Sequence, residues 1–171
     1  VINTSGDEVR RREWAEFPGG ILFELGCHLL DPIVRLMGQP RRVESVLGRT
    51  RPGVDELVDQ TAVLLEFDRA VALLSCAAVQ PGAGTRRGFE VQGTNGVARV
   101  QPLEPPKVEL DLTQAAGPYA GGRSEIPVPP YERYVDEFKA LAMAIRQGTP
   151  LPVTAAEEGR IQAVLMQACR M

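Results

Sequence analysis

The chain has one histidine, His28, two lysines against seventeen arginines, three cysteines, and few aromatic residues, 5% of its 171 positions. Each shortage excludes something. With a single imidazole, any general base that is unperturbed near neutral pH has to be that residue. The cysteines, Cys27, Cys76 and Cys169, are odd in number and widely spaced with no CxxC pair. That argues against both a disulfide framework and a structural zinc site, and a reducing compartment, the cytoplasm, is expected. No apolar run approaches the ~20 residues that cross a bilayer, and the amino end carries no basic-then-apolar signal pattern, so no membrane partner is expected. A net charge of -3 supplies no field for gripping a phosphate backbone, so nucleic acid is not an expected partner either.

What is present describes a folded domain. Hydrophobic residues make up 44% and charged residues 24%, a globular composition, and the length suits one core. The first residue is Val1, and a polar stretch, Asn3 to Glu16, precedes any periodic segment; the sequence is expected to be part of a longer protein. Residues 1–17 read as a linker or the remnant of a first strand, and 18–171 as one domain. From Pro18-Gly19-Gly20 to about Met37, Leu22, Leu25, Leu29, Ile33 and Leu36 recur at helical spacing, with Gly38 and Pro40 as stop signals. Pro32 inside that pattern predicts a kink or a break. From Arg42 to Thr113 the period changes to two. Strands are expected near 43–49, 61–67, 70–79, 88–92, 97–101 and 107–112, with short turns at Asp68-Arg69 and Thr94-Asn95-Gly96 that force antiparallel neighbours. The run Ala70 to Val79 is apolar on both faces, which suggests helices on one side and a second subunit on the other. After a Gly/Pro-rich loop, 115–130, a helix near 131–147 carries a stripe of Tyr134, Val135, Phe138, Leu141, Ala142 and Ile145. A last helix opens with the capping box Thr154-Ala155-Ala156-Glu157 and turns Ile161, Val164, Leu165 and Ala168 toward a core. The fold class is α+β, a mostly antiparallel open sheet with helices packed on one face.

Glu24, His28, Asp31 and Arg35 are spaced by four, three and four, which stacks them along one helical stripe. A carboxylate one turn before an imidazole can orient the ring and raise its basicity, as a base acting on a substrate hydroxyl requires. The same stripe also fits an ordinary solvated helix face with i,i+4 pairs, or a divalent metal held by Glu24, His28 and Asp31. Gly19-Gly20 at a helix start can present backbone amides to an anion, or simply make the turn. Trp14, Tyr119 and Tyr131 are candidate pocket aromatics. Arg10-Arg11-Arg12 and Arg86-Arg87 read as solvated charge, and Cys27 as packing.

The segment Gly19-Gly20-Ile21-Leu22-Phe23-Glu24-Leu25-Gly26-Cys27-His28-Leu29-Leu30-Asp31 resembles the GG-x-L-x-D-x-G-x-H-x-x-D opening of the carboxy-terminal domain of the glucose-fructose oxidoreductase / inositol dehydrogenase (Gfo/Idh/MocA) family. Leu65 to Asp68, Phe89 to Gly96, and Phe138 to Gln147 followed by Pro150, Thr154 and Glu157 resemble that domain's later landmarks in order. The resemblance implies a two-domain enzyme acting on a sugar, polyol or related hydroxyl compound. Its amino-terminal Rossmann half, absent here, would bind NAD or NADP and carry the catalytic lysine. In that scheme His28 is the base, Glu24 supports it where Asp is usual, and Asp31, Gly20 and Trp14 contribute to substrate binding; no metal is called for. This half supplies the open sheet for a homodimer, and alone it is expected to be inactive. The alternative is a non-catalytic relative kept for association or ligand binding, which the Glu24 departure favours. The family's first carboxy-terminal strand precedes the double glycine, and Val1-Ile2-Asn3 is its only candidate remnant.

Overall fold

The period-two stretch folds as six strands close to the expected bounds, and the turns set their order. A computed structural model describes residues 1–130 and 132–171; Tyr131 lies outside the described residues. One sheet is built from β1 (Ile2–Asn3), β2 (Arg42–Gly48), β3 (Gln60–Glu66) and β4 (Val71–Ala77) in the order β1-β4-β3-β2. Its neighbours are antiparallel except β1, which runs parallel to β4. The second is a meander of β5 (Phe89–Gly93), β6 (Gly96–Leu103), β7 (Pro106–Leu112) and β8 (Gly122–Ile126), antiparallel throughout. The α+β class holds, with the strands divided between two open sheets. β8 falls inside the stretch read as a Gly/Pro-rich loop. Its sequence, Gly-Arg-Ser-Glu-Ile, has no apolar alternation, and ion pairs hold it instead: Arg123 and Lys107 reach across to Glu109 and Glu125.

Helices cover one face of the first sheet. The core joins Ile21, Leu22, Leu29, Leu30, Ile33 and Val34 to Val63, Leu65, Leu74 and Cys76 of the sheet and to Ile161, Val164, Leu165 and Ala168 of α4 (Ala155–Ala168). The α4 capping box forms as expected, with Thr154 Oγ1 accepting from the Glu157 amide and Glu157 accepting from the Thr154 amide. The helix expected from Pro18 to Met37 is a π-helical turn, Leu22–Gly26, continued by α2 (Cys27–Met37). α2 is unbroken across Pro32, so the irregular hydrogen bonding lies before His28 rather than at the proline. Leu36 is exposed and Leu30 and Val34 are buried, which rotates the buried face slightly from the sequence pattern.

Two further expectations are corrected. Arg11 is buried, not solvated: it lies on α1 (Glu8–Ala15) within the stretch read as a linker, and its guanidinium binds two carboxylates. Nε donates to Asp55 Oδ2 at 2.7 Å and Nη2 to Asp59 Oδ2 at 2.8 Å, while Thr50 donates to Asp59 through both its amide and its hydroxyl. Asp7 caps α1 by accepting from the amides of Val9 and Arg10. The other correction is α3 (Val135–Gln147), which has an apolar stripe but no buried residue; Phe138 is 69% and Ile145 75% exposed. Nothing among the described residues packs over that stripe, so its periodicity is genuine and its burial is not supplied here.

Candidate functional site

The double glycine fixes how the site helix leaves the core. Gly19 and Gly20 have φ of 84° and 51°, conformations that L side chains rarely adopt. A Cβ on Gly19 would lie 2.4 Å from Cys169 Sγ at the end of α4, and one on Gly20 would lie 2.4 Å from the Val58 carbonyl oxygen. That carbonyl accepts from the Ile21 amide at 3.0 Å, pinning the helix entry to the loop before β3. Phe17 and Phe23 stack across the turn, ring centroids 5.0 Å apart. Of the residues singled out for substrate, Gly20 is therefore buried against Val58, and Trp14 is buried in the core beneath Gly6.

The other four lie on the solvent side. Glu24 and His28 are exposed, Asp31 is half-buried, and Arg35 links the stripe to α4. Arg35 Nε donates to Asp31 at 2.7 Å and Nη2 donates to Glu158 at 3.0 Å. Asp31 and Arg35 are therefore tied by an ion pair to a neighbouring helix. Glu158 had no local signal, because only the packing of α4 on α2 brings it there. At the upper end Glu24 and His28 share no hydrogen bond, and among the described residues neither side chain has a hydrogen-bond partner. Cys27 donates to the Glu24 carbonyl at 3.5 Å; burial pushes its thiol above the ordinary range, with the Glu24 and Asp31 charges adding to the rise.

A cleft of about 760 Å³ borders α2 on another face, against Leu29, Ile33, Leu36 and Met37; Glu24, His28 and Asp31 do not line it. Adjacent helical residues point about 100° apart, which separates His28 from the Leu29 side. Among the described residues no group of three or more His, Cys, Asp or Glu side chains is placed to hold a metal ion, and no helix is long and apolar enough to cross a membrane.

Solved structures share the fold across the whole chain. UDP-N-acetylglucosamine 3-dehydrogenase GnnA of Acidithiobacillus ferrooxidans matches with a TM-score of 0.78 at 15% identity, covering 98% of this chain and 50% of that one. An oxidoreductase from Agrobacterium radiobacter in complex with NAD+, L-tartaric acid and magnesium matches with a TM-score of 0.70 at 14% identity, covering 99% and 53%. These likenesses show the fold, an α+β domain. The chain belongs to the GFO/IDH/MocA C-terminal domain family, whose sequence model matches residues 3–99. Among curated proteins, scyllo-inositol 2-dehydrogenase (NADP(+)) IolW of Bacillus subtilis is 27% identical over 173 residues, 89% of this chain and 47% of that protein. The chain spans about half the length of the relatives it matches.

Proposed function

We propose that this domain is the substrate-binding half of a nicotinamide-dependent oxidoreductase acting on a sugar, polyol or related hydroxyl compound, with His28 as the base on the substrate hydroxyl. The observation that supports this most is the placement of the chain's one imidazole. It stands solvent-facing and unengaged, one turn from Glu24 and one from Asp31, on a helix whose opposite side is core. A catalytic base needs to be reachable by substrate and rigidly mounted, and His28 is exposed on a helix packed against the core. In this reading Asp31, which accepts a hydrogen bond from Arg35, accepts from a second hydroxyl of the substrate. Gly20 and Trp14 act in this reading from beneath, by fixing the angle at which the helix enters.

The chain itself does not fit a dinucleotide. A pyrophosphate cradle needs a strand, a glycine loop and a helix N-terminus in succession. Among the described residues Gly82-Ala83-Gly84 enters a 3-10 turn and Gly121-Gly122 leads into β8. NAD or NADP is therefore assigned to a Rossmann half, and when bound there it supplies a hydride acceptor. The three cysteines are free thiols, which agrees with a reducing cytoplasm. The test is to fuse the chain behind a dinucleotide-binding domain and assay NAD+ and NADP+ reduction with a panel of polyols and sugars. Turnover supports the reading; binding of a polyol without turnover under either cofactor overturns it in favour of a non-catalytic relative. The missing hydrogen bond between Glu24 and His28 is the observation that favours that second reading.

A homodimer through the open sheet belongs to the same proposal. The face opposite the helices exposes Leu73 at 80% and Val46 at 69%, with Val71 and Ala62 beside them. Contiguous apolar surface of this kind marks an association site. Leu73→Asp should convert a dimer to a monomer in sedimentation with the fold intact; a wild-type chain that sediments as a monomer at tens of micromolar would count against the assignment.

A further inference from the structure

Ile21 is fully buried where the site helix leaves the core, and both of its backbone groups are held by the chain of the first sheet. Its amide donates to the Val58 carbonyl at 3.0 Å, and its carbonyl accepts from the Cys76 thiol at 3.1 Å. Val58 lies in the connection that enters β3, and Cys76 near the end of β4. Arg11 grips the chain beside each of them. Its Nη2 donates to Asp59, the residue after Val58, at 2.8 Å, and its Nη1 donates to the carbonyl of Ala78, two residues after Cys76, at 3.4 Å. The Ala78 amide in turn donates to the Asp59 carbonyl at 2.7 Å, which closes the start of β3 onto the end of β4. Nε and Nη2 of the same guanidinium hold Asp55, whose Oδ1 accepts from the Leu57 amide at 3.2 Å. One side chain from α1 therefore sets the path of the segment that presents the Val58 carbonyl to Ile21.

The turn that follows Ile21, Leu22–Gly26, is π-helical, a rare arrangement that is found mostly as single turns at functional sites. Glu24 lies within it, and His28 is the second residue of α2. Beyond His28, α2 is fixed by Leu29, Leu30, Ile33 and Val34 in the core. Glu24 and His28 therefore sit across a joint between two fixed points, of which Ile21 is the upstream one. We propose that Arg11 is a positioning residue for Glu24 and His28: by clamping Asp59 and Ala78 it fixes Ile21, and through Ile21 the π turn that sets one side chain relative to the other. The inference rests on the reading of His28 as the base. The lever is short. At about 1.5 Å of rise per residue His28 stands roughly 10 Å along the axis from Ile21, so a tilt of about 6° at the entry moves it by about 1 Å. A misplacement of that size costs up to about 10²-fold in rate. The residue type matters as well as the charge. A guanidinium presents its donors in a fixed fork that serves Asp55, Asp59 and Ala78 together, whereas a lysine ammonium is a point charge on a flexible stem.

The experiment follows the parent chain, Arg11→Met and Arg11→Lys by NMR at a temperature where the folded state dominates. Arg11→Lys keeps a cation between the carboxylates, so it decides the matter if Arg11→Met does not fold. Amide exchange is read at Ile21 and Glu24, which donate to Val58 and Gly20, with the buried Leu65 and Leu165 as references for global opening. The chain's one histidine gives a single set of ring signals. The expected result in either variant is exchange at least about tenfold faster at Ile21 and Glu24, beyond any change at the references, together with a shifted His28 ring signal. Exchange that rises equally at all of these amides, or a ring signal that coincides with the parent's, overturns the proposal, because an ion cluster that only stabilises the fold behaves that way. In the chain fused behind a dinucleotide-binding domain, Arg11→Lys should lower kcat by about 10–100-fold with the polyol KM unchanged within about twofold. An unchanged kcat, where His28→Ala is inactive, overturns the role of Arg11 and leaves the reading of His28 standing. Full activity of His28→Ala overturns that reading instead, and the clamp is then decided by the exchange and ring signals.

Discussion

Replacing Arg11 with Met keeps most of the side-chain volume and removes the guanidinium from between two carboxylates that water barely reaches. The side chains of Arg11, Asp55 and Asp59 are 4%, 8% and 0% exposed. Removing one partner of a buried ion pair costs about 3–5 kcal/mol, and here Asp55 keeps only the more exposed Arg51 at 3.6 Å and Asp59 only the Thr50 hydrogen bonds. For a chain of this size each kcal/mol moves the melting midpoint by roughly 2–4 °C, so Arg11→Met should melt roughly 6–20 °C below the parent. The pH dependence identifies the cause. In the parent the Arg11 hydrogen bond holds the Asp55 carboxyl below its ordinary range. Burial alone would raise Asp59, but hydrogen bonds from Thr50 and Arg11 outweigh it and leave that carboxyl low as well. Depressed folded-state values mean stability that is complete above the unfolded value of about 3.9 and is lost as pH falls through the lower folded ones. In the variant Thr50 and Arg51 still oppose burial but the Arg11 cation does not, so protonation costs less than in the parent, and the gap between the two proteins should shrink as pH falls from 7 to 4. Chemical unfolding across that range measures it. A loss under about 1 kcal/mol at pH 7, or one that does not change with pH, would refute the account of this cluster.

Gly20→Ala should cost roughly 1–3 kcal/mol in the same assay, because positive φ and a 2.4 Å approach to the Val58 oxygen both oppose a Cβ; an unchanged midpoint would show that the helix entry tolerates rearrangement. Phe138→Ser on α3 should alter the stability of this chain by no more than about 0.5 kcal/mol, whereas Leu165→Ala on α4 should lose about 2–5, since Leu165 is buried and Phe138 is not. Similar losses at the two sites would mean that the α3 stripe is packed after all.

Periodicity located most of this fold because most of it is buried by neighbours within the chain. The six strands from Arg42 to Leu112 and the Thr154 capping box are local patterns, and local patterns survive in sequence. α1 left no such trace: its buried residues are Arg11 and Trp14, and an arginine becomes a core residue only when Asp55 and Asp59, more than forty positions away, are brought to it. β8 was hidden for a related reason, since ion pairs rather than apolar alternation hold it. The α3 stripe was legible and its burial was not, because periodicity records that a face is apolar without recording what covers it. At the candidate site the spacing of four between Asp31 and Arg35 corresponds to an ion pair in the structure, while Glu24 falls in the π-helical turn ahead of α2. The tie to Glu158 and the lack of a hydrogen bond between Glu24 and His28 emerged only from packing and side-chain geometry.

The imidazole assignment is tested most directly by substituting His28 with Ala in the chain fused behind a dinucleotide-binding domain and following polyol-dependent reduction of the nicotinamide. Loss of a general base predicts a fall in kcat of about 10²–10⁴ with little change in KM, partly restored by added imidazole. A variant that turns over within a few-fold of its parent would contradict the assignment of His28 as the base.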